Sequence, residues 1–450
     1  MGDEMDSMSE KQIVDQLVQF VINTRFEDIP LYARDFTKDV ILKSIAGMLV
    51  GSTKPSGRKM ATLIRSRRLP EEVGIIGCGF KTCLWEAVFL NAFLGHAAEM
   101  ADDYTIVPIG LSCAEHWKIP GKELMTAVAV GLEVHSRVCF FQNKQMGVAF
   151  VSGAVAPAMT AARITGLTHD ETRSALAIAT PNIGGTYMNM GTDAHYFESA
   201  HYTMHGIIAA EMAKSGMTGN PLMITFLSNV LGKENVRAER ITDGLGSTWK
   251  FYRHWIKKYP CCFRIQRYVD ALLELRTEFN FGYEDVQKIT ADIGPSEEFC
   301  DRPDPRTETD LQFSFQNVLG AVLLEGEINL HHVNEQAVHN PKLREARGKV
   351  CTAMHPEWPL DDVGVQSSVP AKVVVRMKNG TELSKERLNT IGSWPERPLN
   401  REEILRLYRQ FSRGILPEEL ILQTGSAISD LENVTHLNDL MAALRSGAIL

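Results

Sequence analysis

Two short stretches of the chain concentrate side chains able to move a proton. The first is TDAHYFESAHYTMHG at 192–206. His195, Glu198 and His201 follow one another at intervals of three, and His205 lies seven after Glu198, so in a helix much of the set shares one face. Acid–base chemistry needs a group titrating near neutrality beside a partner that tunes it, and histidine beside glutamate is such a pair. A helix N-terminus whose polar side chains only cap and bond locally would have the same composition. Glu198-x-x-His201 is also the carboxylate-bundle metal pattern, but that pattern needs a second copy on another helix and the sequence has none, so no metal is expected.

The second stretch is HAAEMADDY at 96–104. A carboxylate buried among apolar neighbours has its pKa raised and can exchange a proton, which is the functional reading of Glu99, Asp102 and Asp103. A solvated acidic helix end is the plain alternative. His96 reads as a core histidine or as a ligand, and Tyr104 follows the acidic run. Further on, Lys257 and Lys258 in KKYP could clamp a carboxylate or be a surface pair. GCGFKT at 77–82 lacks the G-x-x-x-x-G-K-[ST] spacing of a phosphate loop and reads as a turn.

The elements that must position these residues are mostly helical up to about Ile241. Val14, Leu17, Val18 and Val21 recur at helical spacing, and Pro30 opens a second helix through Val50. Further helices are expected at Trp85–Met100, Gly121–Phe141 and Met146–Thr165, with Thr168 or Asp170 capping Glu171–Thr180. Near Lys257–Pro260 the texture changes. Val286–Ile293 alternates as a strand, and Lys372–Met377, Asn379-Gly380 and Thr381–Leu383 read as a hairpin. Helices at Thr309–Leu324 and Asn400–Phe411 lie around these strands, and Ser426–Leu450 reads as one more helix and a tail. The fold class is therefore mainly α, with a smaller α+β domain at roughly 255–395 inserted before a returning helical segment.

Composition sets the outer bounds. The 450 residues are 44% hydrophobic and 23% charged, as in ordinary globular proteins, and the 47 Lys and Arg against 55 Asp and Glu give a net charge of -8. Such a chain lacks the field that draws a protein onto nucleic acid or anionic lipid, so neither is an expected partner. No apolar stretch approaches the length of a membrane span. Eight scattered cysteines without a C-x-x-C pair and an acidic, polar N-terminal dozen point to reduced thiols and a cytoplasmic location.

Several segments in order resemble the MmgE/PrpD family, which includes 2-methylcitrate dehydratase, cis-aconitate decarboxylase and iminodisuccinate epimerase. They are NTRFEDIP at 23–30, LNAFLGHAAEMADD at 90–103, PGKELMTAVAVGLEVHSR at 120–137, GLTHDETRSALAIA at 166–179, KKYPCCFRIQ at 257–266, FSFQNVLGAVLLEG at 313–326 and SWPERPLNREEI at 393–404. The resemblance implies an all-helical domain from both chain ends (1–254 and 396–450), an α+β lid at 255–395, a homodimer, and no metal or organic cofactor. It implies proton transfer next to a carboxylate or carbonyl of a small organic acid, ending in dehydration, decarboxylation or epimerisation. Glu99 and His195 become the leading acid–base candidates, supported by Asp102, Asp103 and Glu198. Substrate contacts fall to His96, Tyr104, His201, Lys257, Lys258 and Tyr259.

The chain also departs from that family's pattern. Aligning His205-Gly206 with the end of the family's Lys-Pro-Leu-His motif puts His195 at the lysine and Glu198 at the histidine. The family's lid tyrosine falls at Asn317, and another of its histidines falls near Gly147. These exchanges remove positive charge, and a like charge at ~4 Å costs about 1 kcal/mol in water and several at a protein-like dielectric. A less anionic acid than citrate is therefore expected. A non-catalytic scaffold that binds a small ligand or a partner protein is the alternative.

Overall fold

The computed structural model describes residues 8–138, 148–150, 152–236, 238–250, 255–295, 297–355 and 370–446. The chain forms two compact units: Met1–Thr186, Tyr196–Phe251 and Asn400–Leu450 make one, and Tyr187–His195 with Tyr252–Leu399 make the other. The protein is mainly α-helical, and none of its described helices is long and apolar enough to cross a membrane. The seven described cysteines are free thiols.

The first unit begins with α1 (Glu10–Asn23), α2 (Leu31–Thr53) and α3 (Pro55–Ser66), then the short pair β1 (Val73–Gly74) and β2 (Lys81–Thr82). Next come α4 (Leu84–Ala97), α5 (Ile106–Trp117) and α6 (Gly121–Val138), followed by β3 (Val148–Phe150), α7 (Val155–Thr165), α8 (His169–Ala179) and β4 (Gly184–Thr186). The long α9 (Asp193–Lys214) starts in the second unit's segment and continues through the first, followed by α10 (Met223–Leu231) and α11 (Glu239–Thr242).

Local sequence explains most of these boundaries. Ser9 and Gln12 close a capping box on α1, whose Ile13, Val14, Leu17, Val18 and Val21 are buried at the expected helical spacing. Thr168, not Asp170, caps α8, in a capping box with Glu171. GCGFKT is a turn, joining β1 to β2, with Gly77 and Gly79 donating to the carbonyls of Leu444 and Arg445.

Two helices differ from expectation. The small-residue helix starts only at Val155, because 148–150 pair antiparallel with 184–186. Gly153, at φ +42°, makes the turn between them, and a Cβ there would meet the Asn182 carbonyl at 2.1 Å. The expected extension of α6 to Phe141 and the position near Gly147 lie outside the described residues. Helix α4 stops at Ala97 rather than Met100, because the chain after it turns down onto α2. Gly51 lets the α2 backbone meet the Leu94 carbonyl, where a Cβ would approach to 1.9 Å, and Gly47 does the same for Ala101 at 2.5 Å.

The second unit holds α12 (Phe263–Phe279), β5 (Val286–Ile293), α13 (Glu308–Gln312), α14 (Phe315–Glu325), α15 (Glu335–His339) and α16 (Pro341–Gly348). Strands β6 (Val350–Met354), β7 (Ala371–Met377) and β8 (Glu382–Arg387) complete a sheet in the order β6-β5-β7-β8. β5 has the predicted limits, is parallel to β6 and antiparallel to β7, and buries Val286, Ile289, Ala291 and Ile293. Asn379-Gly380 makes the hairpin turn, with Gly380 at φ +89°. The single helix expected at Thr309–Leu324 is two, because Ser314 leaves helical geometry and caps α14 through the Asn317 N–H. Arg302 fastens the Tyr187–His195 segment to this unit by donating to the Met190 carbonyl at 2.6 Å while pairing with Asp310 at 2.7 Å.

The chain returns to the first unit through α17 (Arg401–Ser412), capped by Asn400 and Glu403, then α18 (Glu418–Ser429) and α19 (Asn438–Arg445), two helices where one was expected. Arg401 of α17 pairs with Asp39 of α2. Burial pushes the Asp39 carboxyl up to about 6, more than Arg401 and Lys38 lower it. Since the folded pKa lies above the unfolded one, the fold holds this proton more tightly, and the contribution is complete below pH ~4 and lost as pH rises through 6. Asp39→Asn should therefore gain on the wild type by on the order of 2 kcal/mol between pH 4 and 7. Urea unfolding of both proteins across that range checks it; a constant difference would refute the assignment.

Candidate active site

The polar centre of the helical unit is built around His96, on the last turn of α4. Its imidazole is buried and engaged on three sides. Nε2 lies 3.2 Å from Glu99 Oε1, Nδ1 lies 2.7 Å from Ser199 Oγ, and the ring stacks on Tyr104 at 3.9 Å with the planes 2° apart. Tyr196 meets the same ring edge-on at 5.2 Å.

Glu99 is held at φ +51°, in the left-handed region that a non-glycine residue rarely adopts. The conformation is the turn that stops α4 and carries the carboxylate back to His96. Strain of this kind is retained where the surroundings over-determine it, often at functional sites. The loop is secured from below by Lys43 of α2, a fully buried ammonium that donates to the Met100 carbonyl at 2.8 Å.

The other two acids of the loop are also buried, which removes the solvated-helix-end reading of the run. Asp103 has a visible structural role. Its oxygens accept the N–H groups of Thr105 at 3.1 Å and Val107 at 2.7 Å and the Thr105 hydroxyl at 3.2 Å, thereby capping α5. Burial raises its pKa, while those backbone bonds and the charge of His135 lower it. Asp102 is buried one residue earlier.

Helix α9 carries the second stretch, as its spacing predicted, yet the face turned toward His96 is the one with Tyr196 and Ser199. Tyr196, Ser199 and Thr203 follow at i, i+3 and i+7 and are fully buried. Ser199, unremarkable among histidines and glutamates, is the neighbour of His96 that residue types alone do not single out. Glu198 is half-buried and accepts the Thr186 N–H at 3.3 Å, tying α9 to β4. His201 is half-buried against Phe197 and His205, with the His205 ring at 4.1 Å. Burial and then His205 push its pKa down, which favours the neutral imidazole. His195, in the first turn, is buried and edge-on to Phe313 at 6.1 Å.

In the second unit Lys257 is buried, its ammonium 4.2 Å from the Phe263 ring centroid, so it is not one of a surface pair. Lys258 is half-buried over the Tyr259 ring. Tyr259 donates its hydroxyl to the buried Asp270 at 2.7 Å, and Gln266 brackets its backbone N–H and carbonyl. Tyr259 thus anchors the KKYP turn on α12. Asn317 is likewise fully used, donating to the carbonyls of Leu311 and His332 and accepting from Arg347.

A metal-like grouping in this unit is Glu325, His331 and His332, whose ligand atoms lie within 4.8 Å of one another. Nδ1 of His332, however, accepts the Asn329 N–H at 3.0 Å, so in the neutral ring Nε2 carries the hydrogen, 3.1 Å from Glu325 Oε2. That donor set fits a hydrogen-bonded network better than a cation site.

Comparison with known proteins matches the model of the MmgE/PrpD N-terminal domain over residues 15–227 and that of the MmgE/PrpD C-terminal domain over 259–430. The chain is 24% identical to a cis-aconitate decarboxylase from Homo sapiens over 397 residues, covering 79% of each chain. It is 23% identical to a cis-aconitate decarboxylase from Aspergillus terreus over an alignment of 489 positions that covers 98% of this chain and 97% of the relative.

Proposed function

The chain belongs to the MmgE/PrpD family, and on that premise we propose that it is a lyase or isomerase that moves a proton next to a carboxylate or carbonyl of a small organic acid. The observation that carries this reading is the buried contact between His96 Nε2 and Glu99 Oε1. Glu99 takes or returns the substrate proton, and the neighbouring imidazole offsets the charge that the carboxylate gains or loses. His195 is the second acid–base candidate, with Asp102, Asp103 and Glu198 setting the local charge. Lys257 holds an anionic group, and the protein acts as a homodimer, as the family resemblance implies.

The relatives named above are decarboxylases of cis-aconitate, a tricarboxylate. In this chain Glu198 stands where the family pattern has a histidine and His195 where it has a lysine, so the proposed substrate carries fewer carboxylates. Dehydration, decarboxylation and epimerisation share a proton transfer at carbon, which gives one assay for all three. The purified protein is incubated in D2O with a panel of mono-, di- and tricarboxylates including cis-aconitate, and proton NMR follows deuterium uptake and product. Exchange or turnover on mono- or dicarboxylates, with cis-aconitate inert, is expected. Binding of acids without exchange on any of them would instead identify a non-catalytic ligand-binding scaffold.

A further inference from the structure

We propose that the first unit carries a binding site for small phosphate anions, of the pyrophosphate and triphosphate class, in the cleft between the end of α3, the β1–β2 turn and α19. The cleft has a volume of about 710 Å³, enough for a small ligand, and shares no residue with the His96 centre. Arg65 and Arg68 reach it from α3 and the residues just after, Lys81 and Thr82 from β2, and Arg445 from the last turn of α19. Among the described residues Glu71 is the one carboxylate that lines it. Four cations against one acid make a local excess of positive charge in a chain whose net charge is -8.

The cations differ in what already engages them. Lys81 pairs with Glu115 at 2.8 Å, and Arg65 lies over the Phe80 ring at 5.7 Å. Arg68 and Arg445 have no ion pair among the described residues. Arg67, by contrast, pairs with Glu86 at 3.1 Å and does not line the cleft. Arg445 is half-buried, with Cδ only 3.6 Å from where a Cβ on Gly74 would lie, so the bare backbone there makes room for it. Arg68 follows the C-cap of α3 at φ +52°, a position where glycine is the residue without strain. Like charges in one cleft repel, and an anion of two or more charges removes that repulsion. Thr82 gives an independent sign. It is 2% exposed on the cleft wall, its carbonyl accepts the Glu72 N–H at 3.2 Å, and its hydroxyl is buried without a hydrogen-bond partner. A ligand oxygen would satisfy that hydroxyl. Arginine forks suit both carboxylate and phosphate, but donors brought by three separate elements fit the tetrahedral group better than the flat one. The GCGFKT turn thus serves an anion through side chains, without phosphate-loop spacing.

Calorimetric titration of the full chain with inorganic pyrophosphate and tripolyphosphate at physiological ionic strength tests the site, with citrate as a carboxylate trianion for comparison. The expected result is saturable binding of both phosphates, weakened by about tenfold or more in Arg68→Gln and in Arg445→Gln. Arg67→Gln should bind as the wild type does. Arg68→Gly should lose binding while its thermal midpoint stays at or above that of the wild type, because glycine relieves the turn. Absence of saturable phosphate binding overturns the site. So does binding that Arg68→Gln and Arg445→Gln leave unchanged, or that Arg67→Gln weakens equally. Citrate bound as tightly as tripolyphosphate, and lost in the same variants, overturns the assignment to phosphates.

Discussion

Glu99→Gln should lower deuterium exchange into the substrate by about a thousandfold while leaving the thermal midpoint close to wild type. General acid–base groups contribute typically 10²–10⁴ in rate, and an amide of the same shape cannot take up or return the proton. A second substitution at the same position separates chemistry from structure. Glu99 occupies a left-handed turn at φ +51° directly after α4, a position where glycine is the residue without strain. Glu99→Gly should therefore be inactive yet folded, with the relief of roughly 1 kcal/mol of backbone strain set against the lost contact to His96. Both variants are read by calorimetry beside the exchange assay. Wild-type exchange in Glu99→Gln would remove the carboxylate from the mechanism, whereas a collapse in stability of both would show Glu99 to be structural.

Where the fold is legible in the sequence, one local signal decides the outcome. The i, i+3, i+4 spacing in α1, the alternation of Ile289, Ala291 and Ile293 in β5 and the Asn-Gly turn after β7 each answer to backbone geometry alone. Helix α4 falls short of its expected end by a turn, because that end is set by α2, some fifty residues away, where Gly47 and Gly51 admit the chain that follows Ala97. No property of the run EMADD announces that turn. The break before α14 has a local cause, the Ser314 cap, but it hides inside an apolar run whose periodicity continues across it.

The candidate site divides the same way. Residue type is enough to name His96, Glu99, Asp102 and Asp103, and all four are buried. Residue type does not assign their separate roles, since Asp103 spends its oxygens on the start of α5, and it does not announce the contact of His96 with Ser199. Along α9 residue types favour the His195–Glu198–His201 set. The turn of about 100° per residue places Ser199 on the adjacent face, and packing selects that face. The family pattern has a tyrosine at Asn317; the packing there supplies two carbonyls and an arginine that an amide satisfies.

Replacing Arg137 should produce the largest loss of stability. Helix α6 is largely apolar, and two of its charged residues, Glu133 and Arg137, sit one turn apart with side chains almost wholly inaccessible. The Arg137 guanidinium donates to Glu133 at 2.6 Å and to the carbonyls of Ile241, Asp243 and Thr248 at 2.8 to 2.9 Å. Glu133 in turn accepts the Lys250 N–H at 2.6 Å. One side chain thus organises the segment from α11 to Lys250, which has little regular structure of its own. Arg137→Met leaves a buried carboxylate and three carbonyls without their donor, and breaking a buried pair from one side costs about 3–5 kcal/mol. Arg137→Lys should recover only part of this, because one ammonium cannot reproduce the planar fork. Adding Glu133→Leu to Arg137→Met should also recover part, by removing the uncompensated charge, but not all, since the carbonyls and the Lys250 N–H stay orphaned. Urea unfolding ranks the variants, and limited proteolysis should show cleavage within 238–250 first in Arg137→Met. Equal stability of Arg137→Met and wild type would mean that water replaces the guanidinium at those carbonyls.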